Sequence, residues 1–232
     1  MHTAIGGGPR SGRPEGEDAM ATGRRVTPRG RMLRPRYLAV AGALLFAAGL
    51  IAFMGIITAE ALYPEGYSTS QNAISDLGGT EPPDSVIEEP SATIFNSAMM
   101  ATGLLVLVSA VFLQIGTRRW LAAVFVALFG LGALGVGVFP GDTGTIHALF
   151  ALLTFGAGGV AAITCYAIET APFRYFSVVV VSLEIKVLVL FFALGDSSPL
   201  APLGMGGVER WVAYPIVIWV LGFGGHLMGR AR

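Results

Sequence analysis

The run from Trp120 to Phe139, WLAAVFVALFGLGALGVGVF, contains no charged side chain over 20 residues. An α-helix rises about 1.5 Å per residue, so a run of this length can cross a hydrocarbon core of about 30 Å. A membrane β-strand would need only about 10 residues and would alternate apolar with polar positions, which this run does not do. The run therefore predicts a transmembrane helix.

Five further apolar runs of similar length flank it, at residues 37–59, 93–116, 145–168, 173–194 and 211–229. Together they predict an all-α, polytopic membrane protein with six transmembrane helices in one bundle. The composition excludes an ordinary soluble domain, because 53% of the residues are hydrophobic and only 13% are charged, against about 25% charged residues in soluble proteins. The 14 Arg against one Lys are typical of a GC-rich bacterial source.

The two ends of the six-helix domain, residues 37–229, differ in charge. Residues 1–36 are rich in Gly, Pro and Arg without an apolar period, which predicts a disordered cytoplasmic tail. Arg118 and Arg119 follow the second span and Arg174 opens the fifth, whereas the loop of residues 60–92 holds seven acidic residues and no basic one. Because basic segments stay inside, we predict a protein of the cell (inner/plasma) membrane with both termini cytoplasmic.

Short inner connections predict that spans two and three, and spans four and five, are antiparallel neighbours. Glycine is frequent in the third, fourth and sixth spans, and Gly225-x-x-x-Gly229 and Gly158-x-x-x-Ala162 fit the small-xxx-small pattern of close helix contacts. We interpret these residues as packing within one chain, with a dimer interface as the alternative.

The outer loop 60–92 is too long for a plain connector and is the leading functional segment. It contains NAISDLGG at residues 72–79. If Ser70 caps a two-turn helix here, Asn72, Ser75 and Asp76 share one face, which presents an amide, a hydroxyl and a carboxylate. This face either anchors the loop or binds a ligand.

Two other outer connections contribute polar residues at the same membrane level. Asp142 precedes the fourth span and His147 lies in its first turn, while Glu209 and Arg210 open the sixth span. Arg210 is the only basic residue predicted on this face, and we predict that it pairs with Asp76 or Asp142. The convergence of three connections at one depth predicts a site.

The candidate site residues suit two kinds of chemistry. For catalysis, His147 is the candidate general base and Ser75 the nucleophile or a binding group, with Asp76 and Asp142 as orienting groups or metal ligands. For binding, the candidates are Asn72, Glu209 and Arg210, the last as a clamp for phosphate. No cofactor and no metal are predicted, since one His with two carboxylates is a sparse ligand set.

Glu184 and Lys186 are charged residues in the middle of the fifth span. Two positions apart on a helix, their side chains point in very different directions and cannot pair. Glu184 is predicted either to be protonated or to line a water-filled cavity.

Several of these residues belong to a pattern that occurs in order along the spans: Tyr67, Asn72-x-x-Ser75-Asp76-Leu77-Gly78, Phe139-Pro140-x-Asp142, His147, and Gly207-x-Glu209-Arg210 with Tyr214 and Trp219. Over about residues 37–229 the chain resembles the prokaryotic six-span membrane family catalogued as domain of unknown function 998. The resemblance implies a fold and a membrane location but no activity. More faintly, the chain resembles six- or seven-span families that include metal-dependent lipid hydrolases, but the second and third His of their zinc sites are missing from this level.

The sequence thus predicts an integral membrane protein of unknown activity whose outer polar cluster binds a lipid headgroup or fixes the loop. Its predicted partners are the bilayer and such a headgroup, and not nucleic acid. One alternative is a membrane-embedded hydrolase or transferase acting on a lipid-like substrate. A second alternative is a proton-coupled carrier that uses Glu184.

Overall fold

The computed structural model describes residues 34–231, so the predicted tail lies outside it except for its last three residues. Within the described range there are six long helices and no strand, which confirms the all-α prediction. The helices are α1 (Pro35–Leu62), α2 (Ser91–Thr117), α3 (Trp120–Val138), α4 (Thr145–Cys165), α5 (Phe173–Leu194) and α6 (Gly204–Arg230). Short 3₁₀ helices lie in the connections, at Ser75–Leu77, Gly141–Thr143, Gly195–Ser197 and Ala201–Leu203.

Five segments are long and apolar enough to cross a membrane, namely α1, α2, α3, α4 and the segment Ala201–Arg230 that contains α6. A helix is the structure expected there, because it satisfies its own backbone N–H and C=O groups where water is absent. The chain is therefore a multi-pass membrane protein. α5 is not in this set, and its role as a sixth span stays a prediction.

α1 and α6 run antiparallel, so both ends of the described chain lie at the same end of the bundle. Gly42 near the start of α1 meets Gly224 near the end of α6, and Glu60 in the last turn of α1 pairs with Arg210 near the start of α6. We call the end with Pro35 and Arg230 the terminal end. The opposite end, with the α1–α2 connection, is the loop end.

α1 lies between α2 and α6, with α3 on α2 and α4 on α3. The predicted pairing of the second and third spans is thereby confirmed. The fourth and fifth were expected to pair as well, but α5 packs mainly on α6 and touches α4 over a short stretch. Phe173 explains this, since its ring stacks on those of Phe223 and His226, with centroids 6.3 and 5.0 Å apart, and so ties α5 to α6.

Glycine brings neighbouring helices into backbone contact, as predicted for packing within one chain. A Cβ at Gly103 of α2 would lie 2.6 Å from the carbonyl oxygen of Gly130 in α3. A Cβ at Gly224 would lie equally close to the carbonyl oxygen of Gly42. The predicted motif Gly225-x-x-x-Gly229 makes no such contact, because no other part of the described chain lies within 4 Å of a Cβ at either position.

Candidate functional site

The connection between α1 and α2 folds back onto the loop end of the bundle. The backbone N–H of Gly206, in the first turn of α6, donates to the carbonyl of Ser70 over 3.0 Å. A Cβ at Gly206 would overlap the carbonyl oxygen of Asn72, so glycine permits this approach. Ile74 and Leu77 are 4% and 0% exposed and lie in the core beneath. Residues 70–77 of the loop are therefore packed against the bundle.

The predicted two-turn helix after Ser70 is wrong, since only the 3₁₀ helix Ser75–Leu77 forms in this part of the loop. The carbonyl of Asn72, which would accept within such a helix, accepts from Arg210 instead. Asp76 Oδ2 accepts from the Ala73 N–H at 3.0 Å and from the Asn72 amide at 3.3 Å. These two predicted site residues thus satisfy each other and the loop backbone.

Arg210 is the centre of the loop's attachment, and its side chain is 10% exposed. Nε and Nη2 donate to Glu60 Oε1 over 3.2 and 2.5 Å. Nη2 also donates to the Tyr67 hydroxyl over 2.6 Å. Nη1 donates to three backbone carbonyls, those of Thr69, Asn72 and Gly206, over 2.8, 3.0 and 3.0 Å. Every N–H of the guanidinium group is therefore used within the protein.

The predicted partners of Arg210, Asp76 and Asp142, were wrong, because its carboxylate partner is Glu60. Sequence reasoning left Glu60 out of the site, since nothing in the spacing indicated that α1 and α6 are neighbours. Tyr67 completes this contact by donating from its hydroxyl to the Ala73 carbonyl over 2.9 Å. Burial raises the pKa of the Tyr67 hydroxyl, which stays protonated and keeps both hydrogen bonds.

Beneath the loop lies a cavity of about 80 Å³. Ser75, His147 and Glu209 line this cavity and also a larger groove on the outside of the bundle. The three residues form a polar wall between the two spaces, and we call them the polar wall. The cavity has room for several water molecules, since a single water molecule needs roughly 10–15 Å³ of such space. The structure thus brings together three of the residues that the sequence singled out.

Two members of the polar wall are held by the backbone. His147 Nδ1 lies 2.8 Å from the carbonyl oxygen of Phe139. Because a carbonyl only accepts, Nδ1 carries a proton and donates it to Phe139, which leaves Nε2 as the ring nitrogen that faces away from this bond. Glu209 Oε2 accepts from the backbone N–H of Ile74 over 2.6 Å, which holds the carboxylate against the start of the 3₁₀ helix. The wall is therefore fixed on one side and presents acceptors on the other.

The larger space is a groove of about 630 Å³ between α4, α5 and α6. Leu152, Val189 and Met205, which line it, are 62, 58 and 56% exposed, so the groove opens at the side of the bundle. On α4 it reaches from His147 to Gly156, nine residues apart, or about 14 Å along the helix. Its lining is apolar except near the loop end.

Asp142 is not among the residues that line the cavity or the groove. It lies in the 3₁₀ helix before α4, against Gly79 of the loop, and its Oδ1 is buried with no hydrogen-bond partner among the described residues. The structure separates it from the polar wall. Within residues 34–231, no three side chains of His, Cys, Asp or Glu are grouped so that they could hold a metal ion.

Glu184 and Lys186 lie on different sides of α5, as predicted. Glu184 is 1% exposed and faces Gly159 of α4, where a Cβ would lie 2.8 Å from Glu184 Oε2. That oxygen has no hydrogen-bond partner in the described chain. Lys186 is exposed. Leu188, one turn beyond Glu184, lines the groove, so Glu184 lies just past the apolar end of the groove.

A second polar cluster lies at the terminal end, and sequence reasoning missed it. Glu169, in the α4–α5 connection, is 1% exposed, and its Oε1 accepts from Trp219 Nε1 over 3.3 Å. The same N–H also reaches Ser177 Oγ at 3.0 Å. Burial raises the pKa of Glu169 to about 7, against the opposing effects of Ser177, Trp219 and Arg174. The available signal was a lone acid in the short connection that precedes Arg174.

Because of Glu169, we expect the protein to lose stability as the pH rises from 5 to 8. In the folded protein the Glu169 carboxyl stays protonated up to about pH 7, whereas its ordinary pKa is 4.5. Unfolding in this window therefore releases a proton, and the free energy of unfolding decreases as the pH rises. We expect Glu169 to account for a loss of about 2 kcal/mol over the window, measured by thermal unfolding in detergent.

The Glu169→Gln variant keeps an acceptor for Trp219 and should remove this part of the pH dependence. Glu81, an exposed carboxylate, is the matched control, and Glu81→Gln should keep the wild-type slope. A Glu169→Gln protein with an unchanged slope would contradict the assignment.

Comparison with protein families confirms the resemblance noted above. Residues 46–226 match the family described as Protein of unknown function (DUF998). The match runs from the middle of α1 to the last turns of α6 and includes the loop, the polar wall and the Glu169 cluster. No curated protein and no solved structure matches the chain. Because the matched segment covers most of the chain, the protein belongs to the DUF998 family of proteins of unknown function.

Proposed function

We propose that this multi-pass membrane protein binds a lipid-like amphiphile in the groove between α4, α5 and α6, with the polar end of the amphiphile at Ser75, His147 and Glu209. The observation that carries the proposal is the division of the groove into a long apolar part and a short polar end. An amphiphile has the same division. Its chain would cover the apolar lining, and its polar end would meet the polar wall.

The dimensions of the groove support this occupant. One leaflet of a hydrocarbon core of about 30 Å is about 15 Å deep, and the groove extends for a similar distance along α4. Its volume of about 630 Å³ falls within the range of roughly 300–1,000 Å³ typical of ligand sites. The lateral opening would let a chain enter from the bilayer without passing through the headgroup region.

The charge distribution supports an orientation for this site. Arg118, Arg119 and Arg174 lie at the terminal end, and the acidic loop lies at the other. By the positive-inside rule we propose that the terminal end is cytoplasmic in the plasma membrane. The polar wall would then lie at the extracytoplasmic level of the bilayer.

Binding is proposed ahead of the two alternatives considered from the sequence. A hydrolase would still have Ser75 and His147 in one wall, but Asp142 lies outside that wall and Arg210 has no free N–H for a phosphate. A carrier would use Glu184, yet no hydrogen bond of the described residues connects its free oxygen to the groove. The amphiphile site needs neither connection.

Filling the groove tests the proposal. A Cβ at Gly156 would have no neighbour within 4 Å, and Gly156 lines the groove. Gly156→Leu should therefore fill the space without disturbing the bundle. We expect photo-labelling of α4 and α5 by a diazirine-bearing hexadecanol, in phosphatidylcholine vesicles, to fall by about fivefold or more.

Gly225→Leu is the matched control, because this glycine also has open space around it but does not line the groove. It should label like the wild-type protein. Equal labelling of α4 and α5 in all three proteins would show that the probe reports bulk lipid at the bundle surface, and would overturn the proposal.

A further inference from the structure

We infer that the polar end of the amphiphile is a hydrogen-bond donor, a hydroxyl or an ammonium group, and not a phosphate; this inference rests on the proposed function of the groove. It concerns the chemical class of the ligand. The charges and hydrogen-bonding groups at the loop end of the groove carry it.

The first observation is the charge at the groove. Two carboxylates line it, Glu81 from the loop and Glu209 from α6, and no Arg or Lys among the described residues does. Asp76 is near enough to act electrostatically on Glu209 and adds to the negative charge at this end of the groove. A phosphate would enter a region of like charge, whereas an ammonium group would be attracted and a hydroxyl would be tolerated.

The second observation is that Arg210 cannot neutralise a phosphate. It is adjacent in sequence to Glu209, but its guanidinium group points to the loop, where Glu60, Tyr67 and three carbonyls take all its N–H groups. Releasing a donor to a ligand would cost one of the bonds that attach the loop. The cation expected from the sequence to clamp phosphate is thus committed to the fold.

The third observation is the hydrogen-bonding character of the polar wall. Glu209 offers its carboxylate oxygens, and His147 offers Nε2, since its Nδ1 already donates to Phe139. Ser75 can donate or accept. Two of the three groups are acceptors, so a ligand with donor hydrogens satisfies the wall, while a phosphate would leave acceptors facing acceptors.

Three photoactivatable probes with the same 16-carbon chain test the inference: the alcohol, the amine and the phosphate monoester. Each is incorporated into phosphatidylcholine vesicles containing the full chain at pH 7, and labelling that Gly156→Leu abolishes is taken as groove occupancy. We expect the alcohol and the amine to exceed the phosphate by about tenfold. Unlabelled diacylglycerol and a long-chain prenol, as competitors, distinguish two sources of the hydroxyl group.

Reversing a charge at the groove provides the matched variant. Glu81 is exposed, so Glu81→Lys should fold normally, raise labelling by the phosphate and lower labelling by the amine. If the phosphate labels the wild-type groove as well as the alcohol does, the headgroup inference is overturned and the groove proposal survives. If no probe gives labelling that Gly156→Leu removes, the proposed function itself fails.

Discussion

Alanine in place of Arg210 should detach the loop from the bundle. The change removes the ion pair with Glu60, whose side chain is 19% exposed, together with the bonds that hold the loop carbonyls. Removing one member of a largely buried pair costs about 3–5 kcal/mol, because the other charge stays without a partner. We expect a loss of this size in thermal unfolding in detergent, and rapid proteolysis between residues 63 and 90.

Two further variants make this result specific. Arg36 is exposed, so Arg36→Ala removes the same charge and should leave unfolding unchanged. The double variant Arg210→Met with Glu60→Met leaves no unpaired charge and should recover part of the loss. If Arg210→Ala has the same unfolding temperature and the same protease resistance as Arg36→Ala, the loop is held by other contacts.

Valine in place of Gly224 should prevent α1 and α6 from packing together. A Cβ there would lie 2.6 Å from the carbonyl oxygen of Gly42 and 2.6 Å from the backbone nitrogen of Phe46. Backbone atoms cannot rotate away as a side chain can, so the two helices must separate. We expect a loss at or above the upper end of the roughly 1–3 kcal/mol typical of overpacking, seen as a lower unfolding temperature and a lower folded yield.

Gly225→Val is the matched control, in the same helix and with the same cost of a β-branched residue. No other part of the described chain lies within 4 Å of a Cβ at Gly225, so this variant should behave like the wild-type protein. The sequence motif Gly225-x-x-x-Gly229 predicts the opposite, namely that Gly225→Val is the less stable of the two variants. Equal stability of both would contradict the contact seen between α1 and α6.

Much of the candidate site could be predicted because it depends on depth. A residue's distance from the end of an apolar run places it along the membrane normal, and this brought Ser75, His147 and Glu209 to one level. Depth carries no information about direction around the bundle. Asp142 shares the level, yet the structure places it against Gly79, outside the polar wall.

The partner of Arg210 shows the same limit. Asp76 and Asp142 lie at a suitable depth, and the sequence offers no reason to prefer Glu60, which is 150 residues away along the chain. The choice follows from α1 and α6 being antiparallel neighbours, a property of the assembled bundle. The Glu169 cluster was missed for a related reason, since Trp219 meets it only after α6 packs beside the α4–α5 connection.

The amino-acid sequence by itself determined that the chain is helical and built for a membrane. In hydrocarbon each helix must satisfy its own backbone, so length and apolarity are enough to define it. The tertiary structure alone decided that α1 and α6 are neighbours, where Arg210 finds its carboxylate, and that α5 packs mainly on α6. Neighbour choice depends on close packing of side chains between segments distant in sequence, and that packing leaves no period in the sequence. The groove exists because of that choice, and with it the site proposed for an amphiphile.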